Sequence, residues 1–377
     1  MVETIRMSEE ALGKDLPRSI SQGEMINREV LAKSLYANKD IAAGDYITRD
    51  LIIIKSPGQG LQPNRIDSLI GRVANRDIEK DTCFYNSDLK EKVEKKTSYN
   101  FKRPFGIPVR YHDFEKLSSQ GDLDFVEFHL SYNDMNETPS DFIKNTSNLF
   151  FAVHAPELFE NDHILDLCSL DDNYRKTSVD YLNKVIRHCD LIKSCFADQE
   201  PPYLVVNAGG WDTDGFVTED KKKLFYASLR RSLNEIDATT VKIVFQTMPP
   251  FPWHFGGQSF HNIFVDPKEI DTFCKETDSK ICLDISHSMM ACNYYGWKLE
   301  YFVNKIADHI SYMHIVDAKG SDGEGVQLGE GDVNFDELSK ILNKTVPHAP
   351  FIPEVWQGHK DNGSGFWNAL DFLEEFF

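Results

Sequence analysis

KICLDISH at 280–287 and ISYMHIVD at 310–317 are the stretches of sequence that decide the fold. Each is an apolar run that ends in polar side chains, and a segment of helical periodicity separates the two. Strands that are buried on both faces of a parallel sheet read as continuous apolar runs of this kind. The two stretches therefore predict a β/α repeat in which residues that can carry chemistry lie where each strand ends.

The same pattern extends over residues 105–377. The other strand-like runs are FGIPVRY (105–111), LDFVEFHL (123–130), LFFAVH (149–154), YLVVNA (203–208), VKIVFQT (241–247) and FIPEVW (351–356). Helical patterns lie between them, and an amphipathic run at 365–377 would close a ring. Eight such units in about 270 residues predict an α/β fold, a (β/α)8 TIM barrel. The alternative is an open doubly wound sheet, but the glycine-rich phosphate turn that favours it is missing after the first run.

The residues before the barrel form a different kind of unit. Short apolar pieces separated by Gly, Asp and Pro occupy residues 31–90 and predict a small, mainly β domain. A charged run follows, and we interpret 91–104 as a connector. Residues 1–30 are polar and are interpreted as a linker with one helical segment. A chain of 377 residues that is 41% hydrophobic has room for this small domain beside a large barrel core.

Charge and composition exclude several classes of protein. With 41 Lys and Arg against 60 Asp and Glu, the formal net charge is −19. Such a field repels nucleic-acid backbones and anionic membranes, so we expect neither as a partner. No run approaches the about 18 apolar residues that span a bilayer, and the N-terminus lacks the apolar stretch of a secretory signal. The seven cysteines contain no CxxC pair, so we expect reduced thiols and a cytoplasmic protein.

Polar side chains that could form a site cluster at the ends of the predicted strands. They are Glu127, His129, His154, Asn207, Gln246, Asp284, His287, His314 and Glu354. The carboxyl ends of barrel strands meet at one rim, so these groups would converge there. Ionised groups that are removed from water need partners, and a divalent metal is the simplest one. A ligand set without thiolates suits Mn²⁺, Co²⁺, Zn²⁺, Fe²⁺ or Mg²⁺.

Each of these residues also has an ordinary structural interpretation. A single His or Asp at a strand end is most often a cap or turn residue, whereas Asp284, His314 and Glu354 on successive strands favour a site. Glu127 and His129 share one face of their strand, where they would bind substrate or fill the barrel interior through mutual hydrogen bonds. Asn207 and Gln246 would donate to a sugar hydroxyl or serve as structural amides.

Two loops supply further candidates. The aromatic loop 249–264, PPFPWHFGGQSFHNIF, would form a flap that stacks on a sugar, with Trp253, His254 and Trp356 as substrate-binding residues. Ordinary loop packing is the alternative. The segment 317–332 is rich in Gly and acidic residues and would form a mobile acidic lid.

Four motifs in order, VHAP (153–156), LDISH (283–287), HIVDAKG (314–320) and PEVWQGH (353–359), resemble the xylose isomerase-like superfamily of sugar isomerases and epimerases. The resemblance implies a divalent ion held by Gln246, Asp284, His314 and Glu354. His287 matches the histidine of the family's DxxH pair. Gln246 departs from the glutamate that is usual in the family. An amide oxygen can coordinate a metal, but it cannot accept a proton, and the family's epimerases use two opposed glutamates as acid and base.

Residues 31–90 resemble the antifreeze-like SAF domain of sialic acid (nonulosonic acid) synthases, a β-clip-like fold. The matching motifs are DIAAG (40–44), PGQGL (57–61) and IGRVANRDI (70–78). In those synthases the SAF domain covers a partner subunit's active site, as a lid would. No synthase catalytic barrel is present in this sequence.

Together the two resemblances imply a metal-dependent sugar or sugar-phosphate isomerase or epimerase, or a lyase of the same superfamily. Its substrate would be an amino sugar or a keto-sugar acid of sialic or other nonulosonic acid biosynthesis. Glu354, His287 and His154 are the expected catalytic residues. The alternative is a non-catalytic sugar-binding or scaffolding protein whose SAF domain docks on a separate nonulosonate synthase. Both interpretations allow a homo-oligomer.

Overall fold

The computed structural model of the chain describes residues 1–13, 20–90, 96–144, 149–197, 200–254 and 257–377, apart from the side chains of Glu10 and His254. Part of the predicted connector, 91–95, lies outside the described residues. The rest of it, 96–104, has no regular secondary structure, and Tyr99 and Phe101 pack against the barrel core. None of the described helices combines the length and apolarity needed to cross a membrane.

A small domain precedes the barrel. Its elements and those before it are α1 (Val2–Leu12), α2 (Gln22–Leu31), β1 (Ser34–Ala37), β2 (Ile52–Lys55) and α3 (Ile66–Leu69). Strands β1 and β2 pair antiparallel, and isolated antiparallel bridges join Tyr36 of β1 to Cys83, Ile41 to Ile78 and Tyr46 to Val73. Ser21 begins α2 with a capping box, because its hydroxyl accepts from the Glu24 N–H while the Glu24 carboxylate accepts from the Ser21 N–H. The domain has a separate apolar core.

The barrel region alternates strands and helices. Its strands are β3 (Gly106–Val109), β4 (Phe125–His129), β5 (Phe150–His154), β6 (Leu158–Phe159), β7 (His163–Ile164), β8 (Tyr203–Val206), β9 (Trp211–Asp212), β10 (Lys242–Gln246), β11 (Trp253–His254), β12 (Gly257–Gln258), β13 (Phe260–His261), β14 (Lys280–Asp284), β15 (Ile310–His314), β16 (Asp317–Lys319), β17 (Gly323–Val326) and β18 (Phe351–Ile352). Its helices are α4 (Phe114–Ser118), α5 (Asp172–Lys193), α6 (Glu219–Leu233), α7 (Pro267–Thr277), α8 (Ile285–Tyr295), α9 (Leu299–Ile306), α10 (Phe335–Thr345) and α11 (Lys360–Leu373).

Eight of the described strands form one parallel sheet that closes on itself. The hydrogen-bonded order is β3, β4, β5, β8, β10, β14, β15, β18. A parallel bridge between Phe105 and Phe351 joins the two edges, and the Phe351 N–H donates to the Pro104 carbonyl at 3.1 Å. Closure removes the free edges that an open doubly wound sheet would keep. The predicted TIM barrel is confirmed.

The barrel interior is layered, and the layering positions the site. Side chains that face the helices belong to the large core, whereas a separate apolar layer lies inside the ring. Two residues after each member of this inner layer, on the same face of the chain, stands a polar residue. The pairs are Phe125 and Glu127, Ala152 and His154, Val205 and Asn207, Val244 and Gln246, Cys282 and Asp284, Tyr312 and His314, and Ile352 and Glu354. The apolar layer inside the ring is therefore followed, towards the carboxyl ends of the strands, by a layer of polar side chains. We call this layer the polar floor.

The predicted acidic lid is replaced by an ordered hairpin of β16 and β17. Asp317 is fully buried, and its carboxylate accepts from four backbone N–H groups, those of Ala318, Gly329, Gly331 and Val333, at 2.8–3.0 Å. The acidic residue that opens the segment therefore shapes the loop from within. Composition did not predict this role of Asp317, because it does not distinguish a solvated carboxylate from one that satisfies backbone donors.

Candidate functional site

The centre of the site consists of Asp284, His314 and Glu354. Asp284 is the last residue of β14, His314 is the last residue of β15, and Glu354 follows β18 by two residues. One ligand atom from each residue lies within 4.8 Å of the other two. The His314 Nδ1 is 2.6 Å from Glu354 Oε2 and 3.5 Å from Asp284 Oδ2. We call these three residues the triad.

The ring of His314 is fixed by a buried carboxylate on its far side. His314 Nε2 lies 3.2 Å from Glu127 Oε2, and both residues are fully buried. An ionised carboxylate only accepts, so Nε2 carries a proton, while Nδ1 faces the carboxylates of Asp284 and Glu354 and is the nitrogen that could bind a metal once it has lost its own proton. Metal-binding histidines are typically oriented by such a carboxylate. Burial opposes ionisation of Glu127, but His314 and His129 outweigh it and hold the pKa of Glu127 well below its usual value.

Glu127 also orients a second imidazole. His129 Nε2 lies 2.8 Å from Glu127 Oε1, while His129 Nδ1 is 3.7 Å from Glu354 Oε1. Of the two residues predicted to bind substrate from this strand, His129 lines the cavity above the triad and Glu127 lies beneath it. The mutual contact that the strand alternation predicted is therefore present.

Gln246 ends β10 and contacts both sides of the floor. Its Nε2 donates to Asp284 Oδ2 at 3.0 Å and lies 3.0 Å from His314 Nδ1. Its Oε1 is 3.2 Å from His154 Nε2, and His154 Nδ1 donates to the Ala155 carbonyl at 3.0 Å. In this orientation the amide presents N–H groups to the triad. A half-turn of the amide would present the oxygen in their place.

His287 belongs to the first turn of α8 and lies beside the triad. Its backbone N–H donates to Asp284 Oδ1 at 2.8 Å, its Nδ1 donates to the Thr247 carbonyl at 2.7 Å, and its Nε2 lies 3.1 Å from Glu324 Oε1. Both ring nitrogens face acceptors, so the ring is doubly protonated. Burial alone would lower the pKa of His287, but Asp284 and Glu324 raise it to about 10.

Two adjoining cavities open above the floor. One of about 320 Å³ is lined by triad residues together with His287, Trp356 and Glu29 of helix α2. The other, of about 250 Å³, is lined by His154, Asn207, Gln246 and Glu157. They share Arg110, His129, His287, Glu324 and Glu354. Volumes of this size suit a single sugar.

The predicted aromatic wall is only partly assembled. Trp356 lines the larger cavity, whereas Trp253 lies outside both lining sets and donates its Nε1–H to Asp322 at 2.8 Å. The Trp253 ring packs against Gly23 of α2, where a Cβ would overlap it. The side chain of His254 lies outside the described residues. Asn207 lines the smaller cavity, and its amide donates to Glu157.

Three cavity residues were missed by the sequence reasoning. Arg110 directly follows β3, so the strand-end argument could have found it. Glu324 belongs to the acid-rich hairpin and carried no signal beyond composition. Glu29 belongs to α2, which precedes the small domain in the sequence. No local sequence pattern predicts that it reaches the barrel cavity.

The donor set fits a divalent cation. Two carboxylates and one imidazole with an available nitrogen converge, and the remaining buried carboxylate, Glu127, already has imidazole partners. Buried carboxylates without a counter-charge are costly, so a cation between Asp284 and Glu354 would offset their desolvation. Oxygen and imidazole ligands suit Mn²⁺, Co²⁺, Zn²⁺ or Mg²⁺ in different degrees.

Comparisons with known protein families match both parts of the chain. A family model described as xylose isomerase-like TIM barrel matches residues 114–376, and a SAF-domain model matches residues 32–90. The predicted SAF domain is thus confirmed. The barrel match covers well over half of the chain.

Individual relatives are more distant. An uncharacterised protein of Methanocaldococcus jannaschii is 30% identical over 202 residues, which are 52% of this chain and 67% of that protein. A pseudaminic acid synthase of Campylobacter jejuni subsp. jejuni is 36% identical over 90 residues, 24% of this chain. The chain spans only 26% of the synthase. A D-allulose 3-epimerase from Methylomonas sp., 13% identical, superposes with a TM-score of 0.50 over 74% of this chain and 100% of the epimerase, a likeness that shows the fold alone.

Proposed function

Because the chain belongs to the xylose isomerase-like TIM-barrel family, we propose that it is a metal-dependent sugar isomerase or epimerase. The observation that carries the proposal is the triad of Asp284, His314 and Glu354 at the mouth of a closed barrel. The contact between His314 Nε2 and buried Glu127 supports it further, because metal-binding histidines are typically oriented by a carboxylate in this way.

The residues around the triad have distinct parts in the proposed reaction. A bound divalent ion would supply Lewis-acid polarisation of a sugar carbonyl and the neighbouring hydroxyl. Glu354 lines both cavities. Burial would raise its pKa, but His314, His129 and His154 together lower the pKa of Glu354 below its usual value, so it is an ionised carboxylate that can accept a proton from carbon.

Proton return to the opposite face needs a different group. The resemblance to the family's epimerases implies that Gln246 stands in place of their second glutamate, and an amide cannot carry that proton. His287, a buried cation with an N–H facing the cavity, and His154, beside Gln246, are the candidate donors. The proposed chemistry is therefore an acid–base pair of Glu354 and an imidazole.

The SAF domain supports a substrate class. This part of the chain is similar to part of a pseudaminic acid synthase. We propose a substrate among the amino sugars or keto-sugar acids of nonulosonic acid biosynthesis, and a separate nonulosonate synthase as the partner of the SAF domain. A lyase reaction on the same substrates would use the same carboxylate as base.

Exchange of carbon-bound hydrogen tests the reaction. The metal-loaded protein is incubated in D₂O with a panel of amino sugars and keto-sugar acids, and deuterium next to the carbonyl is followed by NMR. We expect exchange with at least one sugar, its loss on removal of the metal, and its loss in Glu354→Gln. The exposed change Glu330→Gln is the matched control. Exchange that survives in Glu354→Gln would show that another residue is the base.

A non-catalytic sugar-binding or scaffolding protein is the second candidate. The orientation of Gln246 favours this candidate. Its amide N–H groups face Asp284 and His314, and a hydrogen bond to the Asp284 carboxylate partly replaces the interaction that a bound cation would make. Elemental analysis after equilibration with Mn²⁺, Co²⁺, Zn²⁺ or Mg²⁺ separates the candidates. About one tightly held ion per chain supports the enzyme, whereas a metal-free protein that still binds sugars supports the alternative.

A further inference from the structure

Arg110 is the eighth member of the polar floor. Val109 and Tyr111 belong to the core between strands and helices, and the Tyr111 hydroxyl lies 2.7 Å from His188 Nε2 on α5. Strand alternation therefore turns Pro108 and Arg110 towards the barrel mouth. Both line the larger cavity, and Arg110 lines the smaller one as well.

The side chain of Arg110 is exposed at the rim of the site and has no anionic partner among the residues described. Its Nη1 donates to the carbonyl of His129 at 3.3 Å, and the ring of His129 reaches Glu354. The Asp113 carboxylate accepts from the Arg110 backbone N–H at 2.6 Å. Among the described parts of the chain, no carboxylate lies within ion-pair distance of the guanidinium, although acidic residues outnumber basic ones by 60 to 41.

The other charged groups of the larger cavity have partners. Glu29 pairs with Lys360, and Glu324 pairs with His287. Asp113 lies 3.6 Å from His112 Nε2 in addition to its backbone bond. The triad carboxylates face His314. The cavity therefore has one permanent cation whose charge is not met by a described carboxylate, and a guanidinium fork matches carboxylate and phosphate oxygens.

Neutral hydrogen-bonding groups line the cavity with Arg110. Removal from water lowers the pKa of His359, and the charges of Lys360 and Arg110 add to this effect against Asp113, so the ring is a neutral donor and acceptor. Gln357 has a buried Nε2 without a partner in the described structure and a left-handed backbone with φ of 58°. A bulky residue in this conformation is uncommon and often marks a ligand-binding position.

We propose that Arg110 binds the anionic group of the sugar substrate, a carboxylate or a phosphate, and thereby selects acidic sugars over neutral ones. This inference rests on the proposed function, because it places the sugar in the cavity of the triad. Fork recognition by Arg110 then orients the sugar from the end of strand β3, which neighbours β18 in the closed barrel and lies beside Glu354 in both cavities. Of the two substrate classes proposed above, it favours the keto-sugar acid.

Binding of matched sugars tests this subsite. The full chain, equilibrated with Mn²⁺, is titrated by calorimetry with N-acetylneuraminate, fructose 6-phosphate and neutral N-acetylmannosamine. We expect the carboxylate or the phosphate sugar to bind about 10- to 100-fold more tightly than the neutral one, the range for a charge-assisted pair. The first two sugars distinguish a carboxylate from a phosphate subsite.

Variants assign the preference to Arg110. Arg110→Met should remove it while leaving Mn²⁺ binding unchanged, and Arg110→Lys should keep part of it. Arg187→Met, on the exposed face of α5, is the matched control and should bind like the unaltered chain. A preference that persists in Arg110→Met overturns the inference, as does equal binding of neutral and acidic sugars.

Metal content separates this failure from failure of the proposed function. If Mn²⁺ binds and sugars bind without regard to charge, only the Arg110 inference fails. If no sugar binds, both fail. If acidic sugars bind through Arg110 but no metal binds, the subsite stands and the metal-dependent reaction fails.

Discussion

Glu127 lies beneath the floor of the site, and two imidazoles depend on it. Its two carboxylate oxygens face His314 Nε2 and His129 Nε2 at 3.2 Å and 2.8 Å. Removing one negative charge from a fully buried position changes the tautomer that His314 adopts without opening a cavity. At the scale of single residues, the account therefore assigns Glu127 a positioning role for the metal ligand above it.

Glu127→Gln should weaken metal binding about 10- to 100-fold, the effect typical of residues that orient a metal ligand. The substitution preserves shape, so the far-UV circular dichroism should be unchanged. Titration of the metal-depleted protein with Mn²⁺ measures the affinity. Glu337→Gln, exposed on α10, serves as the control. Equal affinities in Glu127→Gln and the unaltered chain would remove Glu127 from the site.

Asp166 predicts a pH dependence of stability away from the triad. Burial raises the pKa of Asp166 to about 6. The Gly210 and Cys168 N–H groups donate to Oδ1 at 2.9–3.0 Å, and these hydrogen bonds lower the pKa by less than burial raises it. The folded pKa exceeds that of an unfolded aspartate, about 3.9. The stabilisation of the fold that comes from protonated Asp166 is thus fully present below about pH 4 and is lost as the pH rises through about 6.

Asp166→Asn keeps an oxygen for both N–H groups and cannot ionise. At pH 7 the variant should be more stable by about 2 kcal/mol, an order-of-magnitude figure for a shift of this size, and the gain should vanish near pH 4. Urea denaturation at several pH values measures the difference. Parallel stability curves for the two proteins would contradict the prediction.

At the scale of elements, sequence periodicity predicted the helices and the strand faces, because both depend mainly on local sequence. The helical patterns expected between the strands are present, as in Glu219–Leu233, where Thr218 caps the first turn and the buried residues Phe225, Tyr226 and Leu229 share one face. The alternation in β4 correctly placed Glu127 and His129 on one face. The role of the hairpin 317–326 was not predictable, because whether Asp317 is solvated or buried depends on how the chain returns at Gly329 and Gly331.

Asp317→Ala should disrupt this hairpin, which carries Glu324 and Asp322. Four backbone N–H groups lose their acceptor, and we expect the free energy of unfolding to fall by about 3 kcal/mol or more. Urea denaturation measures the change. Asp336→Ala, which removes one exposed ion pair with Lys340, should cost less than about 1 kcal/mol. A similarly small loss in Asp317→Ala would show that the carboxylate does not hold the hairpin.

At the scale of the whole molecule, helix α2 forms part of the wall of the barrel cavity. Asp322, between β16 and β17, accepts from the backbone N–H of Gln22 at 3.1 Å, from Trp253 Nε1 at 2.8 Å and from Gln258 Nε2 at 3.2 Å. One carboxylate thus joins the N-terminal helix to two barrel loops. The contact with Gln22 links residues 300 positions apart, and the other two link residues more than 60 apart, so no local pattern in the sequence predicted them.

Asp322→Ala should loosen α2 without unfolding the barrel. Hydrogen exchange followed by mass spectrometry should show faster exchange in residues 22–31, by about 10-fold or more, while peptides from α6 and β10 keep their rates. Glu330→Ala, exposed in the same segment, is the control. Unchanged exchange in α2 would mean that Asp322 does not secure it.

The central claim is that Asp284, His314 and Glu354 hold one divalent ion at the mouth of the barrel. Anomalous X-ray diffraction from crystals equilibrated with Co²⁺, recorded at the cobalt edge, tests it most directly. The account predicts one strong peak within bonding distance of the carboxylate oxygens of Asp284 and Glu354 and of His314 Nδ1, and its loss in Asp284→Ala. An empty triad in Co²⁺-loaded crystals, or a peak held by other residues, would contradict the claim.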